Sequence, residues 1–382
     1  MVDYLKKIED KEAEFYSLFS RMDKDKNLYF LKPFVLKDRQ GREVPRVENM
    51  TLNDPHYFAE RVMSILNGAE MQRVVEGDLS DKETSLIEDW LSGIYWAIDG
   101  RLLKRGIPGL FPFLVEQICI RGFVGARCLL RTEGERFIPD VLPVDMRYLI
   151  YDLTEDGLDW AAYKTQRTKE QISREYGYEM KGSSAEVLDF WDERYERVFI
   201  NRKQRREQKH NLGYVPFVLA KSTSGSMLQD SDAFQCSGES LFSSVREICA
   251  DMNKFSTVLN TLTMMSFRQG LQFKGEQGAL APKPDIPPYG EDFIIPIGLQ
   301  EQYLPMPVSD IRNASRLLYS ILEQRFQRGG LSAVDYGNLT FPLSAVAIRG
   351  ITALREAILI PRVKALRNFY RELSYMMKRQ YV

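Results

Sequence analysis

Apolar residues recur at helical spacing through the N-terminal third of the chain. Tyr4, Leu5, Ile8, Phe15, Leu18 and Phe19 predict one helix over residues 3–22, and Pro33 and Pro45 mark a loop after it. Asn53-Asp54-Pro55 reads as an N-cap with proline at the first helical position. It opens a helix with the apolar face Phe58, Val62, Ile65 and Leu66, ending at Gly68. Another helix starts at Ser80 or Asp81 and carries Leu86, Ile87, Trp90, Leu91, Ile94, Tyr95 and Ile98; a further one covers 113–121. From Gly122 the pattern becomes that of strands. Residues 126–131, 137–142, 147–152 and 159–166 are rich in β-branched, aromatic and aliphatic side chains and are separated by Glu-Gly, Asp-Gly and Pro signals, so antiparallel pairing is expected. A short helix over 169–176 precedes two longer strands, 186–200 and 215–221. The stretch NRKQRREQKHNLG joins them as a basic loop that either binds phosphate or is a solvated hairpin tip.

Residues 222–238 are small and polar, a linker or loop. Residues 239–268 then place apolar side chains at helical period with no internal glycine or proline, predicting a rod of about 45 Å. Seven of the 17 prolines fall in 269–309, which leaves room for short strands only, in an irregular knob. A returning helix begins at Asp310 with Ile311, Leu317, Leu318, Ile321, Leu322 and Phe326 on one side and stops at Gly329-Gly330. After the loop 331–345, a long basic helix runs over 346–381, and Pro361 is expected to kink it.

Composition narrows the function. Hydrophobic residues make up 44% and charged residues 27%, a globular balance, and 52 basic against 53 acidic residues leave a formal charge of −1. The balance hides an asymmetry: from Asp310 onward twelve basic residues face five acids, net +7, so the rest carries −8. Four cysteines without C-x-x-C spacing predict a reducing compartment and no zinc site. No secretory signal or membrane span is expected, since the longest apolar stretch, 107–115, is about half the ~20 residues a span needs. Two histidines, His56 and His210, read as surface residues and leave almost no material for a catalytic triad; no Gly-Lys dipeptide exists for a phosphate-binding P-loop. Asp23-Lys-Asp25-Lys-Asn27 starts like a calcium loop but has Leu28 at the turn position and Phe34 where a bidentate Glu is needed. The chain is therefore expected to be no enzyme and to need no metal or cofactor.

The element order, α+β lobe, long helix, proline-rich knob, returning helix, Gly-bounded loop and long Pro-containing helix, resembles that of the portal (head-to-tail connector) proteins of tailed bacteriophages. NDPHYFAERVMSILNGAEMQ and the stretch from Trp160 through VLDFWDERYERVFI to GYVPFVLAKSTSGS have the texture of portal wing segments. The resemblance covers nearly the whole chain and implies a portal-like α+β fold: wing 1–238, first stem helix 239–269, clip 270–309, second stem helix 310–328, tunnel loop 329–345 and kinked wing helix 346–382. Larger members continue into a crown; here it is minimal or falls outside this chain. The resemblance further implies a homo-oligomeric ring, usually of twelve subunits, at one capsid vertex of the virion, assembled in the host cytoplasm. Double-stranded DNA would pass through it on packaging and ejection, and terminase, a head-tail adaptor and the major capsid protein would contact it. Another viral ring or adaptor protein of head or tail is the alternative.

By the same resemblance Asp335, Tyr336 and Asn338, near the tip of the tunnel loop, approach DNA, unless the loop is an ordinary connection. Lys283, Asp285, Tyr289, Glu291 and Asp292 form the exposed clip that meets the partners. Arg312, Arg316, Glu323 and Gln327 fall on one polar face of the returning helix, where they either line the channel or pair with acids of a neighbouring subunit. Residues 239–309 carry five basic residues against eight acids, which suits a wall along which DNA slides, because each paired Lys or Arg adds salt-sensitive grip.

Overall fold

The structure is a computed structural model and describes residues 4–69, 74–75, 80–134, 136–222, 233–267, 271–274, 302–305, 313–330 and 345–381. Its class is α+β, with helices and antiparallel sheets segregated along the chain. Two compact units form: Met1–Phe30, His56–Ser243 and Leu339–Val382 make the first, and Leu31–Pro55 with Ser244–Asn338 the second.

The first unit starts with α1 (Tyr4–Glu14) and α2 (Tyr16–Tyr29). The period over 3–22 predicts a single helix; the structure breaks it at Phe15 and carries the second piece to Tyr29. Phe15 is buried against the rings of Phe19, Tyr151 and Phe234, so tertiary packing decides the break. Helix α3 (Asp54–Asn67) follows, then α4 (Asp81–Lys104), whose start is set by a reciprocal cap: Ser80 Oγ accepts from the Glu83 amide while the Glu83 carboxylate accepts from the Ser80 amide. Helix α5 (Leu110–Ile120) is apolar nearly all round and correspondingly buried.

Strands β1 (Phe123–Glu133), β2 (Arg136–Pro143), β3 (Leu149–Thr154) and β4 (Gly157–Thr168) come next, then α6 (Lys169–Tyr176) and β5 (Ser184–Trp191), β6 (Tyr195–Ile200), β7 (Lys203–Lys209) and β8 (Phe217–Lys221). The run 186–200 is two strands, because the Asp192 carboxylate accepts the amides of Arg194 and Tyr195 at 2.8 and 2.6 Å and turns the chain. The basic stretch after it is no loop: Lys203–Lys209 pairs with β6 as an edge strand exposed along its whole length. Its two-residue turn holds Asn201 and Arg202 at φ of 47° and 63°, the backbone that a tight hairpin requires. Lysines and arginines on such an edge repel further strand pairing.

Strands β3 to β7 form a five-stranded meander, and β2-β1-β8 a separate sheet. Ile8, Leu18, Phe19 and Met22 of the first two helices cover one face of the meander, over Trp160 and Phe190, whose rings stack at 5.6 Å. On the other face Ile172 of α6 packs with Val187, Val198 and Ile200. A tight joint pins the chain leaving this unit: a Cβ on Gly122 (φ 78°) would meet the Gly238 carbonyl oxygen at 1.7 Å, so neither backbone tolerates a side chain there. Arg21, 6% exposed, closes the joint by donating to the carbonyls of Gly238, Arg121 and Ser237 and to the Glu239 carboxylate.

That joint delays the first long helix. Residues 239–245 are not α-helical, since Glu239 is held by Arg21 and its carbonyl accepts the Ser222 hydroxyl at 2.7 Å; α7 spans Arg246–Phe267. Strands β9 (Leu271–Lys274) and β10 (Gln302–Pro305) pair antiparallel, bringing Lys274 opposite Gln302, and α8 spans Asn313–Gly329. Helix α9 (Ala345–Tyr381) belongs to the first unit; Pro361 lies within it. Its stripe Ala365, Leu366, Phe369, Leu373 and Met377 is buried, and Gln380 caps the docking by accepting from the Leu130 amide and donating to the Cys128 carbonyl.

Candidate functional site

The second unit is a helical hairpin built on two different stripes of α7. One is apolar and buried, with Cys249 and Met252. The other is polar: Asn253, Thr257 and Thr261 recur every four residues and so line up on one face. Along it lies the segment 48–52. The amides of Leu52, Met50 and Glu48 donate to Asn253 Oδ1, Thr257 Oγ1 and Thr261 Oγ1 at 2.9, 3.0 and 3.0 Å. The match is geometric: two residues of extended chain advance about 6.7 Å and four residues of helix about 6.0 Å, so alternate amides meet successive turns. Asn260 Nδ2 returns a bond to the Glu48 carbonyl at 3.2 Å. Between these contacts, Asn49 and Thr51 accept the amides of Leu36 and Phe34, both at 2.8 Å, and so hold the strap's other limb. From sequence, the stretch 31–52 is a loop and only the apolar positions of α7 stand out; the signal for the strap formed by 48–52 is the four-residue recurrence of Asn and Thr within a helix, where neither residue is favoured.

Helix α8 faces α7 with Leu322 and Phe326 buried and with Tyr319 against Phe255 at 5.4 Å between ring centroids. At its end Gly329 lies so close to Val245 that a Cβ would approach Val245 Cγ1 to 2.9 Å. The side of α8 that reads as one apolar face is covered only in part: Leu317, Leu318 and Ile321 stay 62, 49 and 36% exposed. On α7, Val258 and Leu259 stay 46 and 38% exposed. Full burial of one such aliphatic side chain is worth about 1.5–3 kcal/mol, so this unit leaves a substantial apolar gain unrealised.

Of the polar face read from sequence, Arg316, Glu323 and Gln327 are all exposed on α8. Arg312 lies outside the described residues, as do Asp335, Tyr336 and Asn338 and the set Lys283, Asp285, Tyr289, Glu291 and Asp292.

Among the described residues both histidines have partners and three of the four cysteines are buried, Cys236 being exposed. His56 Nδ1 is 2.8 Å from the Tyr29 carbonyl with its ring stacked on Tyr29, and His210 Nε2 is 3.1 Å from the Asp192 carbonyl. Burial pushes the thiols of Cys119, Cys128 and Cys249 up to about 12, so none is a thiolate near neutrality. Asp23 to Asn27 lies inside α2, and Asp23 pairs with Arg147 at 2.9 Å. Among the described residues, no three His, Cys, Asp or Glu groups are placed to hold a metal, and no helix is long and apolar enough to cross a membrane. A cleft of about 340 Å³ between α4, β1, β2 and the end of α9 is lined mainly by apolar groups, among them Trp90, Ile94, Leu130 and Tyr381. No protein-family model matches the chain, and no curated protein matches it in sequence.

Proposed function

We propose that the chain is a portal-type subunit of a tailed bacteriophage, forming a closed ring through which double-stranded DNA is packaged and ejected. The observation that carries the reading is the second unit: two antiparallel-connected helices, α7 and α8, joined through a short β9–β10 pair that brackets residues 275–301, with Val258, Leu259, Leu317, Leu318 and Ile321 left in water. A head-to-tail ring covers such surfaces, because each hairpin presents one flank to the next copy and the rotation closes. An α+β lobe before the hairpin and a long helix after it support the reading. In that arrangement residues 270–309 carry the partner-binding clip for terminase and the head-tail adaptor, residues 329–345 carry the DNA-facing tunnel loop, and the exposed Arg316, Glu323 and Gln327 face either the channel or the neighbouring subunit. The reading gives the chain no catalytic role. Particle imaging of the purified protein tests it: rings with an axial hole of duplex width are expected, and monomers without a hole would overturn it.

A further inference from the structure

Asp140 on β2 is 2% exposed and is shared by arginines from two elements. Arg101 of α4 reaches Oδ1 at 3.7 Å and Arg105, the residue capping the end of that helix, at 3.0 Å; from β1, Arg131 reaches Oδ2 at 2.8 Å and Arg127 at 3.6 Å. Arg127 has its own counter-charge, Asp189 at 2.8 Å. The other three have Asp140 as their shared carboxylate, an excess of two positive charges. Their side chains are also open to solvent, at 35% for Arg101, 40% for Arg105 and 57% for Arg131.

Hydrogen-bond capacity points the same way. A carboxylate offers about four acceptor positions, whereas each guanidinium carries five N–H donors in a planar fork, so three arginines around one buried carboxylate keep most of their donors for something else. Arg101 lies in the last turn of α4 and Arg105 caps its C-terminal end, and Arg131 comes across from the strand beside Asp140. The buried acid gathers three long side chains, Arg105 through a hydrogen bond and Arg101 and Arg131 as ion pairs, and their mutual repulsion falls when a second anion arrives on the open side. A guanidinium cluster of this kind suits a tetrahedral oxyanion held by paired N–H bonds better than it suits a single carboxylate.

We propose that Arg101, Arg105 and Arg131 form a binding site for a phosphate group, with Asp140 as its positioning residue. The site lies wholly within the first unit and does not rest on ring assembly. The test titrates the full-length chain with inorganic phosphate at constant ionic strength, against chloride, by calorimetry. Saturable binding at one site per chain is expected, weakened at least tenfold in a variant carrying Arg101→Gln and Arg131→Gln. That variant leaves Arg105 and Arg127 on Asp140, and its fold is checked by circular dichroism. Arg131→Lys keeps the charge but loses the fork, and weakens binding by a smaller factor while preserving the fold. Absence of saturable binding in the natural chain, or equal affinity in the double variant and the natural chain, would overturn the proposal. Competition then identifies the source: displacement of phosphate by a short DNA duplex assigns a nucleic-acid backbone, and displacement only by glycerol phosphate assigns a phosphate monoester.

Discussion

In the first unit Trp160, Phe58, Phe190, Phe242 and Phe369 are each less than 2% exposed, whereas in the second Leu317, Leu318 and Val258 remain 62, 49 and 46% exposed. The first unit closes a core on both faces of the β3–β7 meander and beneath α9, although it too leaves Leu86, Trp96 and Leu103 in water along α4, at 71, 81 and 62%. The second draws its internal order from polar contacts, the Asn253–Thr257–Thr261 ladder under its strap, and from a thin apolar seam at Leu322 and Phe326. A hydrogen bond contributes about 0.5–1.5 kcal/mol net, far less than a buried aromatic side chain. One unit is held by a closed apolar core, the other by a polar ladder and a narrow seam.

Substitutions separate the two. Trp160→Ala is expected to cost about 3–5 kcal/mol, read from urea denaturation, as a large ring lost from a closed core does. A comparable loss from Leu318→Ala would erase the distinction. Asp140→Asn is expected to cost about 2–3 kcal/mol at neutral pH. That is below the ~3–5 kcal/mol of breaking a fully buried pair, because three of its arginines are 35–57% exposed and screened.

The same residue gives the first unit an acid limb. Burial pushes the Asp140 carboxyl up, but Arg127, Arg131 and Arg105 together outweigh it and hold it below the usual range. Its stabilisation is therefore complete above the unfolded value of about 3.9 and is lost as pH falls through the folded one. Glu116 acts with the opposite sign: burial, Asp145 and Glu60 raise it, so its ionisation destabilises the folded chain increasingly as pH rises from about 4.3. Stability measured from pH 7 down to 3 should lose part of its acid slope in Asp140→Asn; an unchanged slope would remove Asp140 from this role.

Thr257→Val keeps the shape of the side chain but orphans the Met50 amide, at a cost of about 1–2 kcal/mol confined to the strap. Faster hydrogen exchange at Met50, with that of Ala162 in β4 unchanged, is the expected pattern. Protection at Met50 equal to that of the natural chain would mean the ladder does not hold the strap. Smallest of all for folding is Leu318→Glu, at about 0.5 kcal/mol, since about half of the side chain, 49%, already faces water in the single chain.

Much of the first unit is legible in the sequence, because its signals are local. Ser80 and Glu83 announce the start of α4, Thr168 and Gln171 that of α6, and the β-branched runs announce β1 to β4. What escapes is set by distant partners. Strand β7 has no alternation to read, being polar throughout and an edge; α7 begins late because Arg21, 218 residues before Glu239, holds that residue outside the helix. Neither arginine cluster forms a motif, since Arg21 acts across the fold and Asp140 collects Arg101, Arg105, Arg127 and Arg131 from separate elements. For the candidate site, the apolar period of α8 is plain in sequence, but which of its residues stay uncovered depends on how little of it α7 reaches.

In the proposed ring, the exposed apolar residues of α7 and α8 are covered by further copies of the chain. Native mass measurement across micromolar concentrations tests it most directly, comparing the natural chain with Leu318→Glu. The natural chain should assemble into a closed ring of defined mass, while Leu318→Glu, equally folded by circular dichroism, should remain a monomer. A natural chain that stays monomeric throughout, or a Leu318→Glu ring of the same mass and stability, would contradict it.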